Sequence, residues 1–175
     1  MHLLEALLLC LAACGLSEAH TYCSVKGKNI APEGKASQIS VYHGRLGIGT
    51  AQSAIDGNRE GVYNLGSCIL TRSESNPWWK LDFHKPRKVG AVVLVNRIDC
   101  CWERLMGAEV RIGNSMDNKN PVCGTVTEVG PGLVTTFCCQ GMEGRYVSVV
   151  NPGYEGLMNL CEVEVYPEGS PRPCL

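Results

Sequence analysis

Apolar and polar residues alternate at every second position in several segments of the chain. The alternation covers residues 78–83, 108–113, 145–150 and 161–166. A period of two places one face of a strand on a core and the other in water, so these segments predict half-buried β-strands. Residues 89–95 are almost continuously apolar, which predicts a strand that is buried on both faces.

Turn-forming residues separate these segments. Gly, Pro, Asn and Asp cluster between the apolar runs, and no long stretch after the N-terminus has the period of a helix. Several short strands of this kind favour an all-β fold, either a β-sandwich or a jelly roll. Residues 38–59 and 61–76 are rich in Gly and Ser and show no strand pattern. We expect them to form loops at the ends of the sandwich, where binding residues tend to lie.

The N-terminal segment has the pattern of a secretory signal. Residues 3–13 are almost entirely apolar, a run too short to span a bilayer but suited to the core of a signal peptide. Ser17 and Ala19 are small residues of the kind that signal peptidase requires. We therefore expect residues 1–19 to be removed and residues 20–175 to form one secreted, extracellular domain without a transmembrane segment.

Composition and charge narrow the class of partner. Hydrophobic residues make up 45% of the chain, which is enough for a packed core. Loss of Glu5 and Glu18 with the signal reduces the 17 acidic side chains to 15, against 16 basic ones. A chain with this balance offers no basic surface for nucleic acid and no polybasic patch for a membrane.

The cysteine content agrees with secretion. The chain has 11 cysteines, of which Cys10 and Cys14 lie in the predicted signal. The others are Cys23, Cys68, Cys100, Cys101, Cys123, Cys138, Cys139, Cys161 and Cys174. In an oxidising compartment they predict a disulfide framework, and the lack of paired C-x₂-C spacing argues against zinc. Their number is odd, which leaves at least one cysteine for a partner chain or as a free thiol.

The most informative segment, residues 96–104, follows the most hydrophobic strand and should lie at a strand end. Asp99 stands between Arg97 and Arg104, and its carboxylate can accept hydrogen bonds from both guanidinium groups. The remaining N–H donors would then form a rigid fork that suits vicinal hydroxyls or a ring oxygen. The alternative is a surface ion-pair cluster that contributes little.

Cys100 and Cys101 are adjacent in the same segment. They can bridge each other in a strained eight-membered ring, or each can pair elsewhere. A bridged pair would present a rigid apolar knob beside the arginines. Polar donors beside an apolar platform suit a deoxysugar, which has hydroxyls on one side and a methyl group on the other.

On these residues the chain resembles the F-type lectins, the fucose-binding fucolectin family, from about Asn29 to Tyr166. The segments that carry the resemblance are 54–59, 66–68, 76–79, 97–104, 144–147 and 160–165. The resemblance implies a jelly-roll β-sandwich of the galactose-binding-domain-like, or discoidin-like, type. It also implies a calcium-stabilised carbohydrate-binding oligomer, such as a trimer, that recognises fucosylated or related glycans in innate immunity.

The family motif is a histidine, a spacer of fixed length, Arg-x-Asp, four residues, and Arg or Lys. Arg97, Asp99 and Arg104 match it. By resemblance the arginines bind the ring and hydroxyl oxygens of fucose, Asp99 orients them, and a Cys100–Cys101 disulfide packs on the sugar ring.

The histidine of the motif falls at Leu70, which cannot hydrogen-bond the axial hydroxyl of fucose. A hydrogen bond of this type contributes about 0.5–1.5 kcal/mol. The protein then binds fucose weakly, binds another sugar, or has kept the fold and lost the lectin role. His43, in the variable loop region, is a candidate substitute donor, although a lone loop histidine is usually solvated.

A calcium site is implied by the same resemblance. Residues 56–61 begin like an EF-hand loop, but the twelfth position is Ser67 and no helices flank it. The family ligands carry over to the backbone carbonyls of Ser53 and Cys161, the side chains of Asp56, Asn58 and Glu162, and Ser67. All-oxygen ligation suits Ca²⁺, which would hold the loops of residues 38–76 as a structural ion. A capped turn without metal is the alternative.

Family-like disulfides are Cys68–Cys161, Cys100–Cys101 and Cys123–Cys139, with Cys138 as an alternative to Cys139. Cys23 and Cys174 lie near the two chain ends, so they can pair with each other or tether subunits.

No arrangement of residues predicts an enzyme. Hydrolysis needs two placed carboxylates, or a nucleophile with a base. His20, His43 and His84 are scattered, and the neighbouring arginines should lower the pKa of Asp99, which is wrong for a general acid.

The rival function is an interaction module. Discoidin-like and galactose-binding-like domains also bind proteins and membrane surfaces through the same loops. Here the predicted apolar loop rim consists of Leu46, Ile48, Val62, Leu65, Ile69 and Leu70. A glycan array with and without Ca²⁺ distinguishes this module from a lectin.

Overall fold

The structure, a computed structural model, describes residue 25 and the ranges 27–42 and 49–169. The predicted signal, Cys23, His43, Leu46, Ile48 and Cys174 lie outside the described residues. The strands are β1 (Lys35–Gln38), β2 (Ile69–Leu70), β3 (Glu74–Ser75), β4 (Trp78–Val95), β5 (Glu109–Gly113), β6 (Val122–Thr125), β7 (Val134–Val150), β8 (Glu155–Gly156), β9 (Asn159–Leu160) and β10 (Glu162–Pro167). Short 3₁₀ turns are η1 (Ala31–Glu33), η2 (Ala51–Ala54), η3 (Tyr63–Leu65) and η4 (Trp102–Leu105). Among the described residues, no helix is long and apolar enough to cross a membrane.

Two long antiparallel strands, β4 and β7, organise the sandwich. The segments 78–83 and 89–95, which the sequence presents as two strands, are the two halves of β4. The β4–β7 register shifts between Asp82 and Arg87 and again between Val89 and Ala91. On one side of this bend β4 pairs with β1, and on the other it pairs with β10. Both halves of β4 belong to one six-stranded sheet with the order β1-β4-β7-β5-β6, in which β10 also pairs with β4. The fold is an all-β jelly-roll sandwich, as predicted.

The core lies between the layers and is built from alternate side chains of the long strands. Trp79 and Leu81 of β4 lie opposite Val149 and Val147 of β7, and all four are fully buried. The indole of Trp79 donates a hydrogen bond of 2.9 Å to the carbonyl of Ala51. Because its one polar atom is satisfied, Trp79 can pack as a core residue without a desolvation penalty.

The second half of β4 is buried on both faces, as predicted, because a loop covers its outer side. Val93 and Glu164 of β10 are register partners, so their side chains share the outer face. Arg59 donates two hydrogen bonds of 2.5 Å to the Glu164 carboxylate. The Gly57 N–H donates to the neighbouring Glu162 at 3.1 Å. The loop of residues 56–62 is thereby fastened to the outer face of β10.

The loop region of residues 61–76 has more order than its composition predicts. It contains β2 and β3, which pair with β9 and β8 in two small separate ladders. Strands of two residues are too short to show alternation in a sequence, so no pattern predicted them.

The disulfides Cys68–Cys161, Cys100–Cys101 and Cys123–Cys139 are all formed. Cys139 rather than Cys138 is therefore the partner of Cys123. Cys138 is itself disulfide-bonded.

Candidate functional site

The segment 96–104 begins where β4 ends, as predicted, and the backbone holds its start from two sides. The Ile98 N–H donates to the carbonyl of Gly61 at 2.8 Å. The carbonyl of Arg97 accepts from the Gly132 N–H at 3.0 Å. The position of Arg97 is thus set by main-chain hydrogen bonds to two different loops.

Arg97 is a nearly buried arginine with a fixed side chain. Its Nε and Nη2 donate to the two carboxylate oxygens of Asp99 at 2.5 and 2.8 Å. The guanidinium carbon lies 4.9 Å from the centre of the Tyr63 ring. Bidentate pairing and ring contact together define the plane of the guanidinium group. Within the described residues its Nη1 makes no hydrogen bond, so this donor is available to a ligand.

Asp99 is a hydrogen-bond acceptor for Arg97 rather than a proton donor. The hydrogen bonds from Arg97 hold the pKa of Asp99 below its usual value, against the opposing effect of partial burial. The carboxylate is therefore ionised at neutral pH, which agrees with the expectation that it does not act as a general acid.

Arg104 lies on η4 and differs from Arg97. The expectation that Asp99 holds both arginines is wrong, because Asp99 pairs with Arg97, and the Arg104 guanidinium makes no ion pair within the described part of the chain. Its backbone is fixed, since the Asn151 side chain donates to the carbonyls of Arg104 and Met106 at 3.1 and 3.2 Å. A half-buried guanidinium on a fixed backbone keeps all its donors for a ligand.

The adjacent cysteines form their disulfide directly between these two arginines in the sequence. Cys101 has a φ of 61°, in the left-handed region, and immediately precedes η4. Both cysteines are half-buried. Residues 97–104 therefore carry the Arg97–Asp99 ion pair, the apolar Cys100–Cys101 disulfide and the second arginine, Arg104.

Leu70, at the position of the motif histidine, is a packed residue rather than an exposed one. It is 4% exposed and belongs to an apolar cluster with Tyr63, Cys68 and Cys161. Tyr63 is the residue whose ring contacts Arg97, so Leu70 supports the site through packing. Sequence reasoning missed Tyr63, and a lone aromatic in a Gly-rich loop was the only available signal.

The predicted apolar rim is wrong for two of its members. Ile69 and Leu70 are buried in the core and in the Tyr63 cluster, respectively. Leu65 is 63% exposed, and Val62 is half-buried. Ile98, which the prediction did not include, is 49% exposed between Arg97 and Asp99.

Asn159 is an unusual neighbour of Leu70. The two residues are register partners in the β2–β9 ladder, so their side chains share one face. Asn159 is fully buried, and within the described residues neither its amide oxygen nor its nitrogen has a hydrogen-bond partner. A buried amide without partners costs free energy.

The predicted calcium ligands are brought together in part. Glu162 is fully buried, and its Oε1 accepts from Gly57 while its Oε2 has no partner among the described residues. Burial raises the pKa of Glu162 to about 7, and the negative charge of Asp56 adds to the effect. The Cys68–Cys161 disulfide ties the segment of Ser67 to that of Glu162.

The other ligand candidates shape the loop. Asp56 Oδ1 accepts from the Asn58 N–H at 2.8 Å, and Asn58 Oδ1 accepts from the Glu60 N–H at 3.0 Å. The Ser67 hydroxyl donates to the Val62 carbonyl and accepts from its N–H, so this side chain is already committed. No group of three or more His, Cys, Asp or Glu side chains converges among the described residues. If Ca²⁺ binds here, backbone carbonyls and the side-chain carbonyl oxygen of Asn58 would therefore have to supply its remaining ligands.

Comparison with known proteins relates the chain to galactose-binding domains and to fucolectins. A family model described as a NedA-like, galactose-binding domain matches residues 53–149. Fucolectin-4 of Anguilla japonica is 43% identical over 143 residues, covering 79% of each chain.

Two solved structures share the fold. The f-lectin (fucolectin) from the serum of the striped bass, Morone saxatilis, has a TM-score of 0.76 at 42% identity, covering 82% of this chain. The present chain spans about half of that protein, 48% of its length. A Streptococcus pneumoniae fucose binding module has a TM-score of 0.66 at 30% identity, covering 81% of this chain and 96% of the module.

Proposed function

Since the chain belongs to the F-type lectin family, we propose that it binds fucosylated or related glycans through Arg97, Arg104 and the Cys100–Cys101 disulfide. The observation that carries this proposal is the Arg97–Asp99 ion pair, in which the buried Arg97 guanidinium is held in one plane, while Arg104 has no side-chain partner among the described residues. The family consists of lectins and related binding modules, which supports a binding role rather than catalysis.

The arrangement suits recognition of a deoxysugar. Arg97 presents its Nη1 without needing to order a flexible side chain, which lowers the entropic cost of binding. Arg104 supplies further donors that are not already satisfied within the described protein. The disulfide offers an apolar surface for the ring or the methyl group of fucose. Hydroxyl oxygens would accept from the two arginines, with Asp99 fixing the first of them.

Leu70 weakens this site without removing it. Its buried side chain supports Tyr63 and offers no hydrogen bond to a sugar hydroxyl. We therefore propose weak fucose affinity, compensated by several sites in an oligomer, because multivalency raises the overall affinity without new contacts. An interaction module is less well supported, since two of its predicted rim residues are buried.

We also propose a structural calcium ion near Glu162. Glu162 and Asp56 would hold it, together with Asn58 and the backbone carbonyls of Ser53 and Cys161. The support is the buried carboxylate oxygen without a partner and the second acid beside it, a donor set of the hard type that Ca²⁺ prefers. The committed Ser67 hydroxyl is the weakest candidate. When bound, the ion would supply positive charge that offsets the burial of Glu162.

We also propose that the protein acts outside the cell. The disulfides of the described domain and the signal pattern of residues 1–19 support it. Recognition of foreign glycans in innate immunity is the corresponding role.

A glycan array tests the proposed function. The full protein in Ca²⁺ should bind fucosylated glycans above unfucosylated ones, and Arg104→Ala should abolish that signal while Arg87→Ala retains it. Arg87 is a matched control because it pairs with Glu33 at the bend of β4. A blank array from folded wild-type protein would contradict the lectin assignment and favour the interaction module.

A further inference from the structure

A cleft lies apart from the arginine site, the segment of residues 97–104. It encloses about 440 Å³ and contains none of the residues of that segment. Trp78 of β4 and its register partner Val150 of β7 lie on one side of it. Asp117, Asn118 and Lys119, from the connection between β5 and β6, lie on the other. The cleft is thus formed where this connection folds over the sheet.

Trp78 gives the cleft an aromatic wall. Unlike Trp79, which is fully buried, Trp78 retains exposed surface. The Lys80 ammonium lies 4.8 Å from the centre of the Trp78 ring and donates to the carbonyl of Met116 at 2.7 Å. These contacts fix the β5–β6 connection against the sheet, and the ring contributes its remaining surface to the cleft.

Polar groups with spare hydrogen-bonding capacity surround this wall. Asn118 has its Oδ1 buried and without a partner among the described residues. Asn76 uses its Oδ1 to accept from the Gly153 N–H at 2.7 Å, which leaves its amide nitrogen as a donor. The Oδ1 of Asp117 is used by the Ser115 hydroxyl and the Lys119 N–H, and its Oδ2 remains an acceptor. A ligand that both donates and accepts at several points would satisfy these groups.

The charges of the cleft are balanced. Arg111 donates to Glu109 and to the carbonyl of Asn120, so its charge is compensated. Lys119 is close enough to Asp117 to lower the pKa of that carboxyl, after the larger effect of local hydrogen bonds. Among the residues that line the cleft, no positive charge is left uncompensated to select an anion, which favours a neutral ligand.

We infer that this cleft is a second saccharide site, which takes a neutral hexopyranose against Trp78. A pyranose has apolar C–H faces for an aromatic ring and hydroxyls that donate and accept around its edge, as Asn76, Asn118 and Asp117 require. None of the residues that line the cleft belongs to the arginine site. Asn151 bonds the carbonyls of Arg104 and Met106 and lies between Val150 and Pro152, which line the cleft. Both sites therefore adjoin the same loop, which would raise the valency of one domain.

Two-dimensional ¹H–¹⁵N NMR of the Arg104→Ala protein tests the inference with the arginine site disabled. The probes are methyl β-D-galactopyranoside and methyl β-D-glucopyranoside, with N-acetylneuraminic acid as an anionic comparison. At least one neutral sugar should shift the Trp78 indole signal and the Asn118 amide saturably, while the indole signal of buried Trp79 stays fixed. Asn118→Gly should weaken this binding roughly three- to ten-fold, because it removes the amide but tolerates the φ of 62° at this position.

Two further variants serve as controls. Trp78→Phe assigns the indole signal, and Arg87→Ala should bind like the parent protein. Absence of shifts with both neutral sugars, or shifts that Asn118→Gly leaves unchanged, would overturn the site. Tighter binding of the anionic sugar would overturn its assignment to neutral ligands. Fucose binding by the wild-type protein is scored separately, so failure here does not imply failure of the lectin function.

Discussion

Two arginines in one short segment play different roles because their neighbours differ. Arg97 has two of its nitrogens held by Asp99 and its plane set by Tyr63, whereas Arg104 has a fixed backbone and a side chain without a partner among the described residues. The sequence motif identified both residues. It could not show which of them Asp99 holds, because that depends on how the chain turns at Cys101 into η4.

Leu70→His provides a test at the residue scale. The imidazole would lie beside Asn159, whose amide has no partner among the described residues, and this partner would orient it. We expect affinity for L-fucose to rise roughly three- to ten-fold by isothermal titration calorimetry, the value of one added hydrogen bond. The double variant Leu70→His/Asn159→Leu should lose part of that gain. Unchanged binding in Leu70→His would show that this position does not face the sugar.

At the scale of elements, the loop of residues 56–62 and strand β10 form one unit. Arg59–Glu164 and Gly57–Glu162 fasten the loop, and the Cys68–Cys161 disulfide closes the adjoining chain. Sequence patterns located β5 and β10 well, because each is a short alternating run. They divided β4 in two, because the polar, Pro-containing segment 84–88 at its bend interrupts the alternation.

Calcium should stabilise this unit if Glu162 is a ligand. We expect Ca²⁺ to raise the midpoint of thermal unfolding of the wild-type protein relative to EDTA, since a ligand that binds only the folded state stabilises it by about 2.7 kcal/mol at a hundredfold excess over its Kd. Glu162→Gln removes the negative charge that would bind Ca²⁺, so the unfolding midpoint of this variant should not respond to Ca²⁺. The variant also avoids the free-energy cost of burying a charged carboxylate. The exposed variant Glu155→Gln is the control and should respond like wild type. A calcium response that Glu162→Gln retains in full would contradict the site.

At the scale of the whole molecule, a cross-strand ion pair at the bend couples stability to pH. Asp82 accepts two hydrogen bonds of 2.7 Å from Arg145, which lower its pKa from 3.8 to about 2. Because the folded-state pKa is depressed, the pair stabilises the fold above pH 3.8, and this contribution disappears as the pH falls towards 2. The partial exposure of both side chains keeps the effect modest.

Thermal unfolding of wild type and Asp82→Asn between pH 6 and pH 2 measures this coupling. Wild type should be the more stable protein at the upper end, and the difference should shrink through the range from about 4 to about 2. Both proteins are compared in calcium-free buffer, so that release of Ca²⁺ does not contribute, and protonation of Glu162 is common to both and cancels in the difference. A difference that stays constant across the range would exclude Asp82 as the titrating group.

The overall architecture could be predicted from the sequence, whereas the cleft could not. Alternation and turn residues were sufficient for an all-β sandwich and for placing the segment of Arg97 and Arg104 after the end of a strand. The cleft beside Trp78 depends on the β5–β6 connection folding over the sheet, and residues 114–121 have no hydrophobic period that would predict this packing.

In the proposed lectin site, Arg97 and Arg104 bind the sugar together. Isothermal titration of L-fucose into wild type, Arg104→Ala and Arg87→Ala tests this shared role, with thermal unfolding recorded for each protein. Arg104 has no side-chain partner among the described residues, so Arg104→Ala should unfold at the wild-type temperature and yet lose measurable binding. Arg87→Ala should bind as wild type does. Equal affinity of Arg104→Ala and wild type for L-fucose would contradict the account.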